Sequence, residues 1–479
     1  ILTLLCAATI TQAQVGIGTA SPDASSILDV TSNSKGFLPP RMTALQRNTI
    51  SSPIAGLMLW CTDCGASGEI QIYNGADWVN FIGGTRQLSS MVIIGSDIDG
   101  EAADDLSGSS VSLSSDGSTV AIGARHNDGS GSNAGHVLIY KNISGTWTQQ
   151  GSDIDGEAAG DQFGSSVSLS SDGSTVAIGA RYNGGNGSQA GHVRIYKNIS
   201  GTWTQQGSDI DGEAAGDQFG SSVSLSSDGS TVAIGARYND GNGTSAGHVR
   251  IYKNISGTWT QQGSDIDGEA AFDQSGYSVS LSSDGSAVAI GARLNDGNGS
   301  NAGHVRIYKN ISGTWTQQGS DIDGEAADDG SGSSVSLSSD GSIVAIGASN
   351  NDGNGSNAGH VRIYKNTSGT WTQQGSDIDG EAADDASGIS VSLSSDGSTV
   401  AIGAPYNDGN GTSSGHVRIY KNISGTWTQQ GSDIDGEAAD DYSGMSVSLS
   451  SDGSTVAIGA EYNDDNGGNA GHVRILKEL

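Results

Sequence analysis

Apolar and polar positions alternate in short runs along most of this chain, and the runs recur every 56 residues. The unit first appears whole from Gly95 to Gln150. It restarts at Gly151, Gly207, Gly263, Gly319, Gly375 and Gly431, giving seven copies in register. Within it, Ser110–Ser114 (SVSLS) alternates Val and Leu with Ser, the period-two pattern of a half-buried strand. Thr119–Ala124 (TVAIGA), His136–Lys141 (HVLIYK) and the closing TWTQQGSDI run supply three more strands. SSDGS, a Gly/Asn/Asp-rich loop and NISG separate them, and SSDGS reads as an Asp-Gly turn closing a tight hairpin. Four antiparallel strands, a to d, in each of seven units predict an all-β, seven-bladed β-propeller.

The ends of the array predict closure. The seventh copy runs out at His472–Leu479 without a TWTQQ strand, while Met91–Ile94, ahead of the first copy, align with Trp147–Gln150. Pairing the two completes the last blade and leaves no open edge, a complement that an open solenoid does not need.

Composition narrows the partners. With 53 acidic against 21 basic residues the formal net charge is −32, the wrong sign for a phosphate backbone, so nucleic acid is excluded as the expected partner. Such acidity suits solubility, an extracellular setting or cation binding. Residues 1–13 resemble the apolar core and cleavage region of a secretory signal, with Thr11 and Ala13 as small residues before the cut. Without an initiator Met or a basic leader, the chain is expected to be a fragment of an exported protein. No later stretch is long and apolar enough for a membrane span. Residues 14–84 fall outside the repeat and form a small N-terminal module, and residues 85–479 form the propeller. In the module, TALQRNTI suggests a short helix and EIQIYNGADWVNF a hairpin across Asn74-Gly75. Cys61 and Cys64 in WCTDC read as a structural disulfide, since a zinc ribbon needs a second pair.

Three resemblances follow from these motifs. VGIGT, SP, LDV, KGFLPPRMT, GLM and YNG in the first 84 residues resemble the N-terminal module of exported Bacteroidetes proteins, which implies a cell-surface or secreted setting. DQFGSSVSLSSDGSTVAIGA at Asp161–Ala180 and Asp217–Ala236 resembles the FG-GAP repeat, the blade of the integrin-α propeller. Phe163-Gly164 and Phe219-Gly220 supply the FG, and Ile402-Gly403-Ala404-Pro405 stands nearest to GAP. The family's calcium loop lies between strands a and b. Here that connection holds one carboxylate, such as Asp116 or Asp172, too few for six to eight oxygens. SSDGSTVAIGA followed by HVRIY is also similar to WD repeats, which implies a propeller as well.

Alternating strands put the d–a and b–c loops on one face. The seven copies keep SSDGS unchanged and differ mainly in those two loops, which suggests a recognition face, with drift in unpaired loops as the other reading. Phe163, Phe219, Phe272, Tyr277, Ile389, Tyr442 and Met445 are its candidate ligand-binding residues. SDIDGE on the same face offers a possible calcium cofactor the carboxylates Asp97, Asp99, Glu101, Asp153, Asp155, Glu157, Asp209, Asp211 and Glu213, which otherwise stand solvated. Asp240 and Asn242 of NDGNG are a second donor set or a plain turn. One His per copy, His136 to His472, argues for a scaffold role such as an inter-loop hydrogen bond. The Trp series from Trp147 to Trp427 reads as outer-strand packing. No catalytic constellation is evident, so the chain is expected to be a non-enzyme. Three functions stay in view: an adhesin-like binder of a protein or glycan, a structural module stabilised by calcium, and a carbohydrate-active enzyme.

Overall fold

The computed structural model describes residues 15–17, 28–30, 38–64, 68–73, 75, 77–80 and 91–478. The signal-like residues 1–13 lie outside them. The chain divides into two compact units, Ile1–Leu88 and Ser89–Leu479.

In the first unit, Ala44–Asn48 form the short helix, capped by Thr43, whose hydroxyl accepts from the Gln46 N–H while the Gln46 side chain accepts from Thr43. Glu69–Tyr73 and Trp78–Asn80 pair antiparallel as the expected hairpin, and Cys61 and Cys64 are joined in a disulfide.

The second unit contains seven similar sheets, each with strands in the order a-b-c-d. In the first copy these are Ser107–Leu113, Thr119–Ala124, His136–Ile143 and Thr146–Gln149. Strand b is buried along its whole length because both of its faces meet neighbouring blades, so TVAIGA does not alternate. Strand c is buried at His136–Ile139 and half exposed beyond, where it leaves the core. The turn chemistry differs from expectation. SSDGS forms a five-residue loop, in which Asp116 accepts from the Ser118 N–H and the Ser114 hydroxyl. The two-residue turn of positive φ is Ser144-Gly145 in NISG. The TWTQQGSDI run also breaks in two. Thr146–Gln149 pairs with the far half of strand c, and Ile154–Asp155 forms a separate strand on its near half.

Strand a of each blade packs on strand a of both neighbours, which places these strands around the axis. Between blades, each apolar cluster takes residues from two consecutive copies, as Ala121, Val137 and Ile139 do with Phe163, Val167 and Ile178. The serines of SVSLSS bind the blades together. The Ser115 N–H donates to the Ser171 carbonyl, Ser171 to Ser227, and so on around the ring until Ser451 donates back to Ser115, all at 2.8–2.9 Å. A second circuit runs from the Ser110 hydroxyl to the Gly164 carbonyl and returns from Ser446 to Gly108. On the outside, Trp203 Nε1 donates to the Gln150 carbonyl at 2.7 Å, and the other five repeat tryptophans make the same bond. The ring closes as expected: His472–Glu478 pairs with Met91–Ile93 and with Ile98–Asp99.

Where blades meet, two glycines must touch. A Cβ on Gly123 would sit 2.1 Å from the Gly164 carbonyl oxygen, and one on Gly164 (φ +87°) 2.6 Å from the His136 carbonyl oxygen. Gly145 has nearly the same φ, +90°, with nothing within 4 Å. Gly145→Ala is therefore expected to cost about 1–2 kcal/mol of backbone strain alone. Gly164→Ala is expected to cost measurably more through the blade contact, and urea unfolding of the two variants checks the difference.

Candidate functional site: the axial mouth and the acidic loops

The end of strand b turns into the b–c loop beside the start of strand a, so both edges meet around the axis on the d–a/b–c face. The residue after strand b is Arg125, Arg181, Arg237 and Arg293 in the first four copies, then Ser349, Pro405 and Glu461. These positions make one mouth with two unlike sides. On the first side, Arg181 Nη2 donates to Gln162 Oε1 at 3.0 Å and Arg237 Nη2 to Gln218 Oε1 at 3.1 Å, while Arg293 Nη1 meets the Tyr277 hydroxyl at 2.9 Å. The Arg237 and Arg293 guanidinium groups also lie over the Tyr277 ring, 5.3 and 4.7 Å from its centre. Among the described residues no carboxylate comes within ion-pair reach of Arg181, Arg237 or Arg293. Burial lowers the Arg181 pKa; Tyr182 opposes this, and the neighbouring Arg237 and Arg125 lower it further.

On the other side, Tyr442 stands edge-on between Tyr406 and Tyr462, with ring centres 5.3 and 4.9 Å apart. Ile389 and Met445 occupy the strand-a position that Tyr277 holds in the fourth copy, and both are half-buried. Glu461 is 1% exposed; burial raises its pKa against the pull of Arg125, which pairs with it at 2.6 Å. Tyr277, Ile389, Tyr442 and Met445 thus come together as candidates for contact.

Phe163 and Phe219 do not. Both are 0% exposed, Phe163 edge-on to Tyr196 and Phe219 beneath the Arg250 guanidinium, so the FG phenylalanines are core and not ligand contacts. Phe272 is 62% exposed, at a turn residue of positive φ, and has no ring contact with the mouth among the described residues. The signal missed in the sequence was the residue after IGA, which changes from Arg to Ser, Pro and Glu.

The acidic loops are partly occupied. Ile98 is buried between Asp97 and Asp99, which therefore point outward together. Asp209 accepts a bidentate bond from Arg194 at 2.9 and 3.0 Å, and Arg194 also pairs with Glu157. Arg250 lies 3.5 Å from Glu213. Asp153 accepts from Gln149. Asp155 and Asp211 close their short strands opposite His136 and His192. Near Glu101, burial raises the pKa, His136 lowers it and Asp153 raises it again. Asp240 and Asn242 belong to the turn: Asp240 accepts from the Ser245 N–H, and the Asn242 amide donates to the Gly268 carbonyl. Three similar rim clefts of about 370, 310 and 290 Å³ lie between outer strands, the first lined by Asp153, Asp155, Tyr196 and Trp203.

The repeat histidines do not make the expected inter-loop bond. Each is buried, with Nδ1 3.7–4.0 Å from a carboxylate, and Nε2 of His192, His248, His304, His360 and His416 has no hydrogen-bond partner. Tyr442, Ile389, Met445 and the arginines vary around this constant layer.

The glycine contact between Gly123 and Gly164 joins the GA of one blade to the FG of the next, and a family model described as FG-GAP repeat matches residues 147–196, 203–252, 259–308, 371–420 and 427–475. Together these make up more than half of the chain. The chain belongs to the FG-GAP repeat family. Residues 16–95 match a model described as phage tail like trimerisation region. No curated protein matches the sequence. Among solved structures, the chain is similar to Kuenenia stuttgartiensis hydrazine synthase at 13% identity and TM-score 0.47, over 79% of this chain and 96% of that one. It is also similar to a protein described as a 6-phosphogluconolactonase from Bacteroides uniformis, at 14% and 0.49 over 78% and 94%. Neither carries chemistry over to these FG-GAP blades.

Burial first, and then the neighbouring arginine, hold His248, His304 and His472 down to about 4 from an ordinary 6.5. The unfolded chain then binds more protons than the folded one between these values, so stability is complete above pH 6.5 and is lost as pH falls toward 4. Carboxylates held above their ordinary values, Asp267 and Glu269 among them, oppose the loss at its acid end. The melting temperature is expected to fall between pH 7 and pH 5, less steeply in His304→Gln, as read by calorimetry.

Proposed function

We propose that this protein is an exported, non-enzymatic propeller that binds a protein or glycan at a cell surface in an adhesin-like role. Its contact surface is the axial mouth on the d–a/b–c face. The observation that carries this reading is convergence: positions that differ between copies, held by Tyr277, Tyr442, Met445 and Glu461 among others, meet with the Arg237 and Arg293 side chains around one axis. Seven identical units offer seven equivalent patches, whereas divergence at the axis makes a single unique one. Arg, Tyr and Met are the residue types enriched where proteins recognise partners. His126, the one histidine outside the repeated set, bonds Gln162 rather than a hydroxyl, which favours binding over catalysis.

The likeness of residues 16–95 to a trimerisation region supports multivalent display. Leu45 and Ile54 in this unit are 77% and 79% exposed, apolar surface that a subunit contact would cover. Three linked mouths would gain affinity by effective concentration. The whole chain is expected to run as a trimer in light scattering, and Leu45→Asp with Ile54→Asp as a monomer.

Labelled protein is expected to bind intact cell surfaces, and Tyr277→Ala with Met445→Ala is expected to weaken that binding at least ~10-fold with little change in melting temperature. Flow cytometry and calorimetry read the two quantities. Equal binding by the variant would remove the mouth from the reading. A structural module holding calcium in its acidic loops is a second reading, favoured by the crowding of Asp267, Asp265 and their like. Millimolar calcium, compared with EDTA, raises the melting temperature if that reading holds.

A further inference from the structure

The seven acidic layers are not equivalent, and the one at ring closure differs in two ways. It is assembled from both ends of the repeat array: Asp97 and Asp99 come from the first copy, and Glu437, Asp465 and His472 from the last. It holds an additional carboxylate. Asp465 stands where Gly297 and Gly409 stand in two of the other copies, and a Cβ at those glycines would lie 3.6 and 3.5 Å from the carboxylates of Asp323 and Asp435. Those two aspartates correspond to Asp99. Like His416 in the copy before it, His472 is 1% exposed with an Nδ1 that has no hydrogen-bond partner, although it faces Glu437 Oε2 at 3.8 Å; only here does the extra carboxylate stand beside such an imidazole.

The ligand atoms gather on this ring. Asp97, Glu437 and His472 each offer one within 4.8 Å of the others, and so do Asp99, Asp465 and His472. Four carboxylates face one cation, Arg474, whose Nη1 is 3.7 Å from Glu437 and whose Nη2 is already held by the Asp435 carbonyl at 2.6 Å and the Ser443 hydroxyl at 3.3 Å. A buried imidazole without a partner costs free energy, and so does crowding of like charges. One bound cation would relieve both.

We propose that the closure seam is a divalent transition-metal site, in which His472, Asp97, Asp99, Glu437 and Asp465 hold one ion that ties the first repeat to the last. Calcium takes oxygen ligands throughout, whereas imidazole with carboxylates suits Zn²⁺ or Mn²⁺. Burial and Arg474 keep the imidazole neutral, leaving its lone pair free for a metal. Metal–ligand distances near 2 Å require the outward-facing carboxylates to close by roughly 1 Å, which side-chain rotation supplies. An ion bound there engages only the closed ring, and so stabilises closure by mass action.

The whole chain, stripped of metal, is titrated with ZnCl₂, MnCl₂ and CaCl₂ by calorimetry, and its melting temperature is followed. One zinc or manganese ion per chain is expected, with a melting temperature that rises with concentration. Asp465→Gly, which restores the residue of the other copies, is expected to weaken binding at least ~10-fold while leaving the metal-free melting temperature unchanged or higher. Co²⁺ bound to the native chain is expected to show a visible spectrum that His472→Gln alters. Failure to bind zinc or manganese below ~100 μM overturns the proposal. So does binding of seven ions per chain, equal binding by Asp465→Gly, or calcium binding as tight as that of zinc.

Discussion

Everything in the second unit depends on backbone meeting backbone between blades. Gly123 and Gly164 approach so closely that neither position has room for a side-chain carbon, and the serine hydroxyls and amides beside them complete hydrogen-bond circuits around the axis. Buried backbone groups at the axis need partners, and a closed ring supplies one to each blade. Uniform spacing of the blades follows, and with it the freedom of the loops at the mouth to differ.

That division explains why function and framework separate so cleanly. Ser110, Ser112, Ser114 and Ser115 all bond within or between blades, and SVSLSS is the same in all seven copies. The residue after IGA has no such duty. It is Arg181 on one side of the mouth and Glu461 on the other, and the ring tolerates both because only side chains meet there. Among the described residues, three guanidinium groups at the mouth have no carboxylate partner, in a chain of net charge −32.

The strands, their order and the closing partner were legible from period and repeat. TVAIGA and HVLIYK were found nearly residue for residue, because a two-sided buried strand is written as a continuous apolar run. The missing outer strand of the last copy identified Met91–Ile93 as its complement. Local chemistry was less legible. The Asp-Gly pair of SSDGS signalled a tight hairpin, yet Asp116 instead organises a longer loop through its carboxylate, and Ser144-Gly145 makes the tight one. Phe163 and Phe219 varied between copies as a contact residue would, but their rings lie buried in the apolar clusters between blades, and period and repeat do not record that.

The sequence by itself determined the seven blades, the strand order and the closed ring, because repeat length and hydrophobic period are local properties of the chain. Only the tertiary structure decided which side chains share a site. Arg237 and Tyr277, or Asp97 and His472, are far apart in the chain and adjacent in space, and ring closure is the step that brings the last two together. Such pairings depend on the angle between blades and on which atoms already have partners, and no run of residues records either one.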